Sequence, residues 1–451
     1  VILLKGINTL FTGREDIHST DLLIEGNLIS RIDREIRVEP GPGKAMEEID
    51  CSDMVVIPGL VNTHHHFFQT LQRCLPDVQD SPLFDWLVRL YEIWKNMDDE
   101  SIYWSTLVAC GELLKTGCTT TSDNLYVYPV QAGAGFADIE IEAAMKAGIR
   151  FHPTRGSMSR GRSLGGLPPD TVVQTEAEIL EDSARLIEAY HDPKPGAMVR
   201  IALGPCSPFS VSEDLLKQTR ELASREKVLL HTHLAETEDE SSYCLENYGV
   251  RPLGLMERCG WLGPDVWFAH GIHFTGEELE RLKATDTGIC HCPTSNMRLG
   301  SGIARVPEML KLGIRVGLGV DGSASNDSSD MLGELRNCFL LNRLGGSAAI
   351  TARETIRLGT EGGAGLLGRD EIGGIEPGKV ADLVGIKVST IDRAGAVHDY
   401  TASLVLCGCN HTVDLNIVNG KVVVRDGRLL TMDEEEVTRR ANLAARRLLG
   451  T

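Results

Sequence analysis

Eight short apolar runs, separated by longer stretches of helical period, constrain this chain more than any other feature of it. They are VVIPGLVNTHHH (55–66), TTTSDN (119–124), IRFHPTR (149–155), VRIALGPC (199–206), VLLHTHLAE (228–236), VWFAHG (266–271), TGICHCP (287–293) and RVGLGVD (315–321). Short β-branched runs alternating with helices are what a parallel sheet covered by helices requires. Eight such units suit a closed (β/α)8 TIM-type barrel, and the strand ends that carry chemistry in such barrels are the C-terminal ones. His66, Glu236, His270 and Asp321 stand at those ends. An open doubly wound sheet explains the alternation, but not why the first and last runs both end in ligand-type residues.

The ends of the chain have a different texture. VILLKGINTLFTG and DLLIEGNLISRID read as alternating strands, with Gly26-Asn27 as a hairpin turn. The same pattern returns in KVADLVGIKV and HTVDLNIVNGKVVVRDGRLL, with Asn419-Gly420 and Asp426-Gly427 as turns. The two ends are therefore predicted to pair into one small β-sandwich domain. The expected organisation is 1–57 and 371–451 in that domain, the latter with a C-terminal helix, around a barrel over 58–370.

A chain of 451 residues, 42% of them hydrophobic, can bury the core of one large domain with an accessory. Its 64 acidic and 45 basic side chains give a formal charge of −19, which repels a phosphate backbone and excludes a nucleic-acid polymer as partner. Twelve cysteines follow no framework, and the closest pairs, Cys290/Cys292 and Cys407/Cys409, are C-x-C, which fits reduced thiols. No signal-peptide pattern or charge-free run of about 18 apolar residues is present, so a cytoplasmic location without membrane contact is expected.

In a strand, residues i and i+2 share a face, so His64 and His66 point together and His65 points away. Two imidazoles placed this way suit one metal, whose Zn–N bonds run about 2.0–2.1 Å. His231 and His233 also share a face. His233, one step nearer the catalytic end, is the expected ligand, and His231 reads first as a buried, hydrogen-bonded core histidine. Asp321 closes the eighth run and brings a carboxylate to the barrel mouth, the other reading being a helix N-cap in DGSASN. Glu236 and His270 are titratable groups at neighbouring strand ends, where an acid/base could work on a metal-activated water. Alone, each has a bland reading, as a surface acid of ETEDE and a core histidine.

Together, PGLVNTHHH, HTHLAE, AHGIHF, HCPTSNMRLGSGIARV and GLGVDGSASN resemble the amidohydrolase superfamily in its cytosine/guanine-deaminase-like branch, and IGGIEPGKVADLV extends the resemblance over nearly the whole chain. It implies His64, His66, His233 and Asp321 as metal ligands, Glu236 as the proton-shuttling acid and base, and His270 and Asp321 as the residues that orient the water. Binuclear relatives carry a carboxylated lysine on the fourth strand. VRIALGPC has none, so one divalent metal is implied, Zn2+ first and Fe2+ as the alternative. The unrelated deaminase signature with H-x-E and P-C-x-x-C is absent.

The reaction implied is hydrolytic removal of an exocyclic amine from a small nitrogen heterocycle. 8-Oxoguanine, giving urate and ammonia, is the first expectation; guanine, isoxanthopterin, cytosine and triazines are the alternatives. Ring-amide cleavage, or loss of chloride or an alkylamine, is a rival reaction. A non-catalytic scaffold is disfavoured because no ligand position is missing. Substrate contacts are expected from Gln69, Trp94, Arg155 and Cys206. Against these stand a structural amide, core packing of the LFDWLVRLYEIW helix, a salt bridge and a small buried hydrophobe. The resemblance also suggests a homodimer or larger assembly.

Overall fold

The computed structural model describes residues 1–38, 45–133, 135–344, 350–407 and 411–450; Cys409, of the second C-x-C pair, lies outside them. Each of the eight apolar runs contributes one strand to a closed, all-parallel barrel. In chain order the strands are Leu60–Asn62, Cys118–Leu125, Arg150–Ser157, Ala202–Pro205, Leu229–Leu234, Val266–His270, Gly288–His291 and Val316–Leu318. The last pairs with the first through Leu318 and Asn62, which closes the cylinder. Helices between the strands pack their apolar faces on its outside, as the 3.6-residue period of those stretches requires.

The first run is not one strand. Met54–Pro58 belongs to a different sheet, pairing antiparallel with Leu383–Lys387 and parallel with Ile2–Phe11, and only Leu60–Asn62 enters the barrel. Gly59 makes the crossing. A Cβ there would come within 2.3 Å of the Thr119 side chain, so the chain can pass the second barrel strand this closely only without one.

That second sheet has nine continuously hydrogen-bonded strands drawn from both ends of the chain. Its tight turns fall where the sequence places them. Asn419 and Gly420 have φ of +50° and +75°, Asp426 and Gly427 +47° and +74°, the left-handed pair that a two-residue hairpin needs. The final helix, Glu434–Leu449, runs against the barrel helix Asp99–Lys115, to which Lys115 ties it through Glu434 at 2.6 Å. No helix among the described residues is long and apolar enough to cross a membrane.

Sheet and barrel are pinned by a buried ion pair. Arg150, at the start of the third barrel strand, donates to the Asp382 carboxylate, whose other oxygen accepts the backbone N–H of Asn419 at 2.7 Å. Both side chains are almost fully buried. Asp382→Ala leaves a guanidinium buried and unpaired and is expected to lower unfolding stability by about 3–5 kcal/mol, read from denaturant titration.

Candidate active site

Six titratable side chains from four barrel strands meet at the C-terminal end of the barrel. His64 and His66 lie just past the first strand, held there because the Thr63 N–H and hydroxyl bond Leu318 O and the Asp321 N–H bonds His64 O. His233 lies inside the fifth strand and Glu236 beyond it; His270 ends the sixth; Asp321 follows the eighth. Three backbones take left-handed φ here, Ala235 at +56°, His270 at +72° and Asp321 at +61°. Such conformations are rare for residues other than glycine and cluster where side chains must be aimed.

Carbonyl oxygens can only accept, and this fixes the imidazole tautomers. His66 Nδ1 donates to Asn124 O at 2.8 Å and His233 Nδ1 to Cys206 O at 2.7 Å. Burial holds His233 and His64 well below the usual histidine range, so they are neutral. His64 Nδ1 meets His231 Nε2 at 2.7 Å, and among the described residues no atom hydrogen-bonds His64 Nε2. The Nε2 atoms of His64, His66 and His233 therefore converge around the Asp321 carboxylate.

The separations suit a cation. His66 Nε2 stands 3.0 Å from His233 Nε2, and the Asp321 carboxylate stands 3.3 Å from the Nε2 atoms of both His64 and His66. Ligand atoms in a tetrahedral zinc site with bonds of about 2.0–2.1 Å lie about 3.4 Å apart. Bare lone pairs and a carboxylate at these distances repel one another unless a positive charge sits between them. His270 completes the cluster, since its ring nitrogen, those of His64 and His233, and an Asp321 oxygen all lie within 4.8 Å of one another. The site is built for a divalent metal.

Beside it, Glu236 Oε2 stands 3.5 Å from His270 Nε2, and that nitrogen stands 3.9 Å from Asp321 Oδ2. Burial raises the Glu236 carboxyl to about 6. Burial opposes protonation of His270, but the Glu236 and Asp321 carboxylates outweigh it and raise its pKa. Asn296, from the HCPTSNM segment, accepts from His270 Nδ1 at 2.9 Å and aims the other nitrogen inward. The Glu240 carboxylate accepts the N–H groups of Ala235 and Glu236 at 3.0 and 2.9 Å, which braces the kink that presents Glu236.

These groups form one wall of a cavity at the barrel mouth. Its other walls are mostly apolar and aromatic, with Leu83, Trp86, Leu87, Tyr126, Phe209 and Leu299. Gln69, Cys206, Ser207 and Ser325 supply further polar atoms. Gln69 lies so close to Gly322 that a Cβ there would meet its Oε1 at 1.9 Å.

Two of the four expected substrate contacts fall elsewhere. Trp94 does not line the cavity; its indole N–H donates to Gln72 Oε1 at 3.1 Å and its ring packs behind Trp86 and Phe68. Trp86, eight residues earlier on the same helix, Leu83–Trp94, is the aromatic that reaches the cavity. Arg155 is turned away, bonded to Asp182 at 2.8 Å and Gln174 at 2.9 Å and stacked on Tyr128, so it is a structural salt bridge. Gln69 and Cys206 do line the cavity, and burial raises the Cys206 thiol to about 12, which keeps it protonated. Tyr126, Phe209, Ser325 and Asn296 were not singled out by the sequence; the last two sit inside the recognised segments DGSASN and HCPTSNM.

Barrel, second sheet and His/Asp cluster together define a metal-dependent hydrolase, and the chain belongs to the amidohydrolase family, whose sequence profile matches residues 55–423. It is 46% identical over 406 residues, 89% of each chain, to 8-oxoguanine deaminase of Pseudomonas aeruginosa. To the hydroxydechloroatrazine ethylaminohydrolase of Pseudomonas sp. strain ADP it is 34% identical over 98% of this chain and 96% of that one. Among solved structures, atrazine chlorohydrolase from Arthrobacter aurescens TC1, complexed with zinc, superposes with a TM-score of 0.93 at 31% identity, covering 99% of this chain and all of the other.

Proposed function

We propose that this protein deaminates 8-oxoguanine hydrolytically, giving urate and ammonia, at one divalent metal. The observation that carries this reading is a buried carboxyl, raised to about 6, beside a set of converging ligand atoms on one wall of an aromatic cavity. They belong to a chain 46% identical to an 8-oxoguanine deaminase.

His64, His66, His233 and Asp321 would hold the metal. Zinc is the first choice, as in the solved relative, and iron(II) accepts the same ligands. When bound, the metal supplies a Lewis acid that makes a water acidic enough to attack near neutral pH. His270 Nε2 and the Asp321 carboxylate orient that water toward the amine-bearing ring carbon. Glu236 takes its proton, passes it to the adjacent ring nitrogen, and then helps protonate the departing amine so that ammonia leaves. Trp86 and Tyr126 flank the ring, while Gln69 and Cys206 offer polar contacts at its edge.

The partners are a small heterocycle and water, in a homodimer or larger assembly. A reducing cytoplasm suits the eleven described cysteines, all free.

The test is ammonia release and urate absorbance from metal-loaded protein given 8-oxoguanine, with guanine, isoxanthopterin, cytosine and an N-ethyl hydroxytriazine alongside. Equal formation of urate and ammonia, at kcat/KM well above the other rings, is expected. Ethylamine release from the triazine as the fastest reaction would instead favour the ethylaminohydrolase-like reading, to which the 34% identity over nearly the full chain points.

A further inference from the structure

His231 is fully buried two residues before His233, and neither of its ring nitrogens faces the cavity. Its Nδ1 lies 2.9 Å from the carbonyl oxygen of Trp267, which can only accept, so this nitrogen carries the proton. A neutral ring then has a bare Nε2, and that atom lies 2.7 Å from His64 Nδ1. The opposite polarity would require a doubly protonated imidazole, buried beside a metal cation.

The direction of the chain is therefore set: Trp267 C=O accepts from His231, His231 accepts from His64, and His64 is left with a lone pair on Nε2. Trp267 reinforces it twice more. Its ring stacks on His231 with centroids 4.4 Å apart and 18° between planes, and its indole N–H donates to the carbonyl of Thr63, the residue before His64, at 3.0 Å. His66 and His233 take their orienting bond straight from a backbone carbonyl; His64 alone takes it through a second side chain.

We infer that His231 is a positioning residue of the metal site, one that holds His64 in its metal-binding tautomer and orientation and is itself held by Trp267. The inference rests on the proposal that His64 is a ligand. Outer partners of this kind tune metal affinity by 10–100-fold.

The experiment compares the parent with His231→Phe, His231→Gln and His64→Ala, each stripped of metal, reloaded with zinc and titrated against a chelator of known affinity. His231→Phe keeps the stacking on Trp267 but removes both hydrogen bonds, and should weaken zinc binding by about 10–100-fold. His231→Gln offers an amide oxygen to His64 and an amide N–H to Trp267, and should bind much closer to the parent. Unchanged affinity in a folded His231→Phe protein would overturn the inference while leaving the ligand set standing. Full zinc retention in His64→Ala would overturn the ligand set, and this inference with it. Should His231→Phe not fold, histidine-selective 15N spectra of the zinc-loaded parent decide: His231 and His64 both protonated at Nδ1 is the expected result, and a His231 proton on Nε2 overturns it.

Discussion

Glu236→Gln should lower kcat by about 10²–10⁴-fold while one metal per chain remains bound. The amide matches the carboxylate in shape and keeps an oxygen toward His270, but it cannot carry a proton between water and ring. Glu236 Oε2 stands 3.5 Å from His270 Nε2, outside the proposed ligand set of His64, His66, His233 and Asp321. The sign of the pH dependence follows from its environment. Burial raises the folded-state pKa from 4.5 to about 6, and turnover needs the unprotonated form, so the rate falls as pH drops through that value. A bound cation pulls the carboxyl down, which places the acidic limb at or below about pH 6. The Gln variant should lose that limb altogether. Metal analysis and ammonia release across pH 5–8 check both statements; loss of metal in the variant would move Glu236 into the ligand set.

The second large effect is expected at Asp321. Asp321→Asn removes the carboxylate that stands 3.3 Å from the Nε2 atoms of His64 and His66, and zinc affinity should fall by more than the 10–100-fold typical of an outer-sphere change, with turnover falling alongside it. Asparagine is the informative substitution because position 321 has φ of +61°, a conformation that Asn tolerates far better than Ala does. Its fold should therefore survive, and the metal content of purified protein reports on the ligand directly. Full metal with lost rate would make Asp321 a proton carrier instead.

Much of this architecture is legible before any coordinates. Parallel strands buried on both faces leave short apolar runs, and a barrel that works at one rim leaves ligand-type residues at their ends. Asn-Gly and Asp-Gly pairs mark turns because few other pairs accept two left-handed residues in succession. The split of the first run at Gly59 was not legible, because both halves are equally apolar and only the approach of Thr119 shows where one sheet hands over to the other.

At the site, period-2 parity correctly groups His64 with His66 and turns His65 away, toward Ser329 Oγ at 2.9 Å. The same parity groups His231 with His233, and the direction of the strand places His233 nearer the rim, where it lines the cavity while His231 does not. Trp94 and Arg155 show the limit for the cavity. Trp86 and Trp94 both lie on the buried side of one helix, and which of them reaches the cavity depends on neighbours far away in sequence. Arg155 lies near the C-terminal end of its strand, where the sequence places a substrate contact, yet Asp182, twenty-seven residues on, takes it.

The crossing at Gly59 also bears on how the chain comes to be folded as it is made. Met54–Pro58 emerges early, but its partner Leu383–Lys387 is synthesised more than three hundred residues later. Until then a wholly apolar strand waits with one edge unpaired, directly before the segment that carries His64 and His66. Pairings of such long sequence separation form slowly and leave aggregation-prone edges exposed. Completion of the rim should therefore be a late event, and nascent or truncated chains that stop short of residue 383 should depend on chaperones to stay in solution.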